Sequence, residues 1–146
     1  MTHLTTAPLS LEPLLAEASA PHCGGTCIFL GTVRDGPEDG GVTAIEYSAY
    51  DAMAEAELER IVSETRRQWT DARVAVRHRL GLVSAEEASI AIVVATPHRA
   101  DAFAACRYVI TVAAPTGSTA TTCLKGWIGL SRWTFTCRVA PPVPKP

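Results

Sequence analysis

Acidic residues stop at Asp101: all 15 lie at or before it, and none follows through Pro146. With ordinary usage of Asp and Glu, a gap this long arises on the order of once in a few hundred stretches. Long apolar runs are also missing. The longest, such as Ile90 to Ala95, fall far short of the ~20 residues a membrane-spanning helix needs. The opening Met1-Thr2-His3 is followed by no basic region and apolar stretch, so no signal peptide is expected. The net charge of −2 excludes a global basic field that would draw the chain to nucleic acid. The five cysteines (Cys23, Cys27, Cys106, Cys123, Cys137) are odd in number and irregularly spaced, which does not describe a disulfide framework. Reduced thiols in a cytoplasm are the expectation. Cys23 and Cys27, with His22 adjacent, match zinc spacing only loosely, and no second ligand pair follows. Cys27 as a small hydrophobe in a strand is the preferred reading.

What is present fits one domain with a real core: 146 residues, 47% hydrophobic and 19% charged, the balance of a soluble globular protein. Ser10 to Ala18 reads as a short helix capped by Ser10, and Pro21 to Gly25 as a turn. Thr26 to Val33 is β-branched and apolar, a strand, and Asp35 to Gly41 is a glycine-rich loop. Val42 to Tyr50 is a second strand. Asp51 to Trp69 is the best helix, with Asp51 as its N-cap and Ala54, Leu58, Ile61, Val62, Thr65 and Trp69 in one stripe. Val74, Val76, His78 and Leu80 alternate with Arg73, Ala75, Arg77 and Arg79, a half-buried strand. Ala88 to Thr96 is a nearly continuous apolar strand ended by Pro97. A helix starts near Arg99 or Ala100, with Phe103, Cys106 and Ile110 on one side. This order predicts an α+β domain, a mostly antiparallel sheet with packed helices.

The domain is expected over residues 1–110. Residues 111–146 are expected to form a divergent, partly disordered tail, with both lysines (Lys125, Lys145), Trp127, Trp133, seven threonines and a proline-rich end. A natural tail and a reading-frame shift near codon 111 both explain it. An out-of-frame stretch of a GC-rich gene yields Ala, Pro, Thr, Gly, Arg and Trp without acids, and the abruptness of the break favours the shift.

Four clusters carry possible chemistry. Phe29 to Arg34 leads an arginine to the edge of the glycine-rich loop, where it can reach an anion, although a solvated strand-end arginine is the commoner case. His78-Arg79-Leu80-Gly81 places a histidine on an apolar face, more often a satisfied core residue than a catalyst. Pro97 to Phe103 sets His98 and Arg99 at a strand-to-helix junction, where exposed amides favour negative charge. That cluster is as well explained by helix capping with Asp101. Tyr47 to Ala54 reads as packing and capping.

Taken together the clusters resemble the large, catalytic subunit of molybdopterin synthase, the MoaE family. The matching residues are Gly25, Phe29-x-Gly31-x-Val33-Arg34, Tyr47-x-x-Tyr50-x-x-Met53-Ala54, His78-Arg79-x-Gly81, and His98-Arg99-x-x-Ala102-Phe103-x-x-Cys106-x-Tyr108, from about Leu4 to Ile110. The resemblance implies an α/β-hammerhead-like fold and a homodimer of large subunits. Each binds a small ubiquitin-like sulfur-carrier subunit, making a heterotetramer. The thiocarboxylate at the small subunit's C-terminus donates sulfur to cyclic pyranopterin monophosphate, and two rounds form the dithiolene of molybdopterin, in molybdenum cofactor biosynthesis. No metal or organic cofactor is implied for this step. Phe29, Arg34, His98 and Arg99 are implied to line the substrate pocket, where fixed cations suit a phosphate-bearing pterin. The chain departs from the family after Ile110. The family continues with Asp, two residues, Lys, and then Pro-x-Trp-Lys; here Thr111, Val112, Ala113 and Ala114 stand, and the catalytic lysine falls on Ala114. A lysine can act as acid, base or nucleophile and an alanine cannot. Lys125 is the one catalytic candidate left. Two functions follow: a sulfurtransferase, or an impaired relative that only dimerises or binds the small subunit or pterin.

Overall fold

The computed structural model describes residues 2–35, 42–113 and, for the backbone alone, 136–139. The elements are β1 (Leu4–Thr5), α1 (Leu11–Ala18), β2 (Gly25–Thr32), β3 (Ala44–Ser48), α2 (Asp51–Gln68), β4 (Arg73–Arg79), β5 (Gly81–Ser84), β6 (Ala88–Thr96), α3 (Arg99–Ala113) and β7 (Thr136–Val139). They build a four-stranded sheet in the order β1-β4-β6-β2 and a three-stranded sheet in the order β5-β3-β7. Every pairing is antiparallel except β1 with β4. The expected α+β class with a mostly antiparallel sheet is the architecture observed.

β6 explains the layering. Its residues alternate between two covered faces, which is why it reads as one apolar run rather than an alternation. Ile92 and Val94 join Leu58, Ile61 and Val62 of α2 and Ala105, Cys106 and Val109 of α3 in the main core. Ala91, Val93 and Ala95 face the other way, against Leu14 and Ala18 of α1. A third cluster (Val33, Val42, Ile45, Val83, with Tyr47 packed on it) joins the two sheets at the end of β2.

Several local expectations shift. The cap of α2 is Tyr50, and Asp51 lies inside the first turn. Ser10 does precede α1, but its side chain makes no capping bond. β4 is buried on both faces, since Ala75 packs under α1 while Arg77 reaches Glu17 at 2.8 Å. α3 does not bury Phe103, which is 65% exposed; its packed stripe is Ala102, Ala105, Cys106, Val109 and Ala113. Small alanines let the helix lie close to β2 and β6, and hydropathy ranks a phenylalanine above them without sensing that fit. β1, β5 and β7 were not foreseen. β1 is held by polar bonds that no periodicity signals. The Glu55 carboxylate accepts from the amides of His3 and Leu4 at 2.7–2.9 Å, and the buried His3 ring lies between the Val76 carbonyl and Glu59. Gly81, at φ +86°, turns β4 into β5, a conformation that favours glycine. No helix among the described residues is long and apolar enough to cross a membrane.

Candidate active site

β2 organises the candidate residues. Gly25 pairs with Thr96 and Thr32 with Ala88, so the start of β2 lies beside the end of β6, where α3 begins. Contact there is tight. A Cβ on Gly25 would lie 2.8 Å from Arg99 Cα, and one on Gly24 would lie 2.8 Å from the Pro97 carbonyl oxygen. The Gly24 amide donates to the Thr96 carbonyl at 3.0 Å. The Cys-Gly-Gly that reads as a plain turn in the sequence is therefore a platform on which the start of α3 rests. Any side chain at Gly25 would push the helix away.

His98 and Arg99 are both exposed at that junction. The first amides of a helix have no intrahelical acceptor and carry a partial positive charge. An arginine in the first turn adds a planar, permanently charged donor fork. With a histidine beside it, the arrangement suits a phosphate or carboxylate. Asp101 lies in the same turn, so capping charge and anion-binding charge coexist there.

Phe29 sits midway along β2, paired with Ile92 and packed against the main core on the α3 side. Arg34 is exposed two residues past the far end of β2, next to Val33, which is pinned by bonds between its amide and the Glu87 carbonyl and between its carbonyl and the Glu86 amide. At about 3.3 Å per residue, the separation of Arg34 from Gly25 is roughly 25–30 Å. Within one chain the fold brings His98 and Arg99 together and sets Arg34 at the opposite end of the strand. Ala114 and Lys125 lie outside the described residues.

Neighbouring groups are not reactive. The Cys106 thiol is pushed up to about 12 by burial, with the Cys27 sulfur hydrogen-bonding it. Both pack beneath α3 as small hydrophobes, the role read for Cys27 from the sequence. Burial lowers the pKa of His78 to about 4, against a weaker opposing effect of its bond to the Arg79 carbonyl at 2.9 Å. Its ring meets Tyr47 edge-on at 5.3 Å, so His78 is a neutral packing residue that links the two sheets. Among the described residues no group of three or more His, Cys, Asp or Glu is placed to hold a metal. Sequence reasoning passed over Gly24 and Thr96. Their only signal was position, a glycine pair before a strand and a threonine before Pro-His.

The fold and the junction define a class: an α+β protein whose β6-to-α3 turn, seated on the start of β2, exposes a histidine and an arginine. The family model described as "MoaE protein" matches residues 4–112. The chain belongs to the MoaE family. It is 37% identical over 103 residues to the molybdopterin synthase catalytic subunit of Halalkalibacterium halodurans, covering 70% of this chain and 66% of that protein. It is 41% identical over 108 residues to the human molybdopterin synthase catalytic subunit, covering 74% of this chain and 57% of the human one. The crystal structure of molybdopterin synthase from Staphylococcus aureus superposes with a TM-score of 0.73 at 28% identity, covering 75% of this chain and 80% of that one. The chain thus spans about two thirds or less of the two relatives' length.

Proposed function

We propose that this chain is the large subunit of a cytoplasmic molybdopterin synthase, transferring sulfur from a thiocarboxylated small subunit to cyclic pyranopterin monophosphate. The observation that carries the reading is the close seating of Arg99 on Gly25, which supports His98 and Arg99 at the start of α3 as a fixed anion site. Fixed donors stabilise charge that develops on a bound substrate without reorganising to do so. The names of the relatives, molybdopterin synthase catalytic subunit, support molybdopterin as the product.

The separation of Arg34 from His98 and Arg99 supports a homodimeric site. β2 is an edge strand of its sheet, and Ile28 and Leu30 on it are 44% and 42% exposed. A second copy laid antiparallel along β2 about a two-fold axis near Phe29 sets Arg34 close to the partner's His98 and the partner's Arg99. Each pocket then draws cations from both chains, and Phe29 lies between the two pockets.

A second reading has its own observation. Ala114 stands in the register of the family lysine, and the family match ends at residue 112, where the composition changes. An impaired member would dimerise and bind the small subunit or the pterin without turnover. The test combines the chain with thiocarboxylated small subunit and cyclic pyranopterin monophosphate, and follows molybdopterin by mass spectrometry. Turnover abolished by Lys125→Ala supports a site rebuilt around Lys125. Turnover untouched by that change removes Lys125 from the mechanism. Binding without turnover establishes the impaired member. We further propose that residues 111–146 arise from a frame shift. The coding DNA from codon 105 onward checks this: another frame encoding Asp-x-x-Lys and then Pro-x-Trp-Lys supports it, and its absence in every frame makes the tail genuine divergence.

A further inference from the structure

The turn from β6 into α3 is held by a side chain that none of the family motifs includes. The Thr96 hydroxyl donates to the His98 carbonyl at 2.6 Å, bridging across Pro97, and Thr96 is 1% exposed. The same carbonyl accepts the Ala102 amide at 3.2 Å, the first helical bond of α3. The Thr96 carbonyl in turn accepts from Gly24 at 3.0 Å. One residue therefore ties the β2 start on one side and the first carbonyl of α3 on the other. Pro97 fixes its own φ but has no N–H to donate, so the Thr96 hydroxyl is the donor that restrains the remaining dihedral angles between the strand and His98. From this geometry we infer that Thr96 is a positioning residue for the anion site, setting the direction in which His98 and Arg99 leave the sheet.

The inference rests on the reading of His98 and Arg99 as that site. The chemistry demands a buried hydroxyl. Valine has nearly the same shape but would put a methyl group where the hydroxyl meets the carbonyl, leaving that oxygen with one partner. Serine keeps the donor and loses only a methyl. A fold-only role and a positioning role then differ in what they disturb: the first moves thermal stability, the second moves ligand affinity and is rescued by serine.

The experiment titrates the full-length chain with inorganic phosphate, following the amide resonances of Arg99, Ala100 and Asp101, with thermal melting alongside. Thr96→Val is expected to weaken phosphate binding roughly three- to tenfold, the size of one well-placed hydrogen bond, in a chain that still folds. Thr96→Ser is expected to bind within about twofold of the natural chain. Arg99→Ala is the reference. If Arg99→Ala weakens binding and Thr96→Val does not, the positioning role is overturned and the anion site stands. If Arg99→Ala has no effect, the anion-site reading falls and takes this one with it. Equal losses in Thr96→Val and Thr96→Ser, or a Thr96→Val chain that does not fold, overturn a positioning role separable from the fold.

Discussion

The two ends of β2 carry the cations of the candidate site, and each is held by main-chain bonds, but a close helix approach adds to them at one end and an apolar cluster at the other. At the Gly25 end two glycines admit the start of α3, and two main-chain bonds and one hydroxyl hold it there. At the Arg34 end two main-chain bonds from Val33 to Glu86 and Glu87 are joined by side-chain packing: Val33 is buried in a small cluster with Val42, Ile45 and Val83, and His78, Ile90 and Gly31 form one row across the sheet. A site that needs cations from both ends cannot be closed by one chain, because a strand is stiff and long. The difference shows that a motif set read in order along a sequence need not describe one place in the fold.

The largest effect is expected at the glycines. Gly25→Ala would drive a Cβ into the backbone of Arg99, which cannot step aside, so a loss of about 2–3 kcal/mol and of phosphate binding is expected by denaturant melts and titration. Gly31→Ala meets side chains rather than backbone, the Cγ2 of Ile90 at 2.6 Å and the Phe29 ring at 3.6 Å, and about 1 kcal/mol with binding retained is expected. Equal costs would mean that the two ends are not built differently.

Mixing tests the shared site. Arg34→Ala and His98→Ala are each expected to abolish tight pterin binding. Refolded together in equal amounts they should regain about a quarter of the natural number of sites, because half the dimers carry one intact pocket. No recovery by calorimetry would place both residues in a single-chain site or in none.

Acid sharpens the Arg34 end. His78 titrates near 4 in the fold and near 6.5 when unfolded, so the unfolded chain takes up the proton first. The stability of the neutral form is present above about pH 6.5 and is lost as the pH falls toward 4, by about 3 kcal/mol. In His78→Phe that part of the slope should vanish from urea melts taken between those pH values. The smallest effect is expected on the exposed side of α2. Arg60 bonds Glu57 and Glu64, each at 2.6 Å, but its own side chain remains 37% exposed, so solvent screens the pairs. Arg60→Ala should cost less than about 0.5 kcal/mol and should leave both ends of β2 unchanged.

Much of the fold was legible. β6 ends where Pro97 required, and α2 kept its stripe from Ala54 to Thr65 because its long period of apolar residues admits no other packing. Phe103 was misplaced because periodicity counts size and hydropathy, whereas α3 approaches β2 through alanines. β1 was hidden because it is only two residues long and is bound by Glu55, more than fifty residues away.

The break after Asp101 was legible in the sequence, as a matter of composition alone. The proposed site residues His98, Arg99, Arg34 and Phe29 could be named from the sequence only through the family resemblance, since charge and aromatic character by themselves fit capping and packing equally well. Their arrangement was decided by tertiary structure. Pairing of β2 with β6 placed Gly25 under Arg99, and the reach of an extended strand carried Arg34 away from them. Distances across a sheet depend on register, and register is set by packing of both faces at once, which no single stretch of sequence contains.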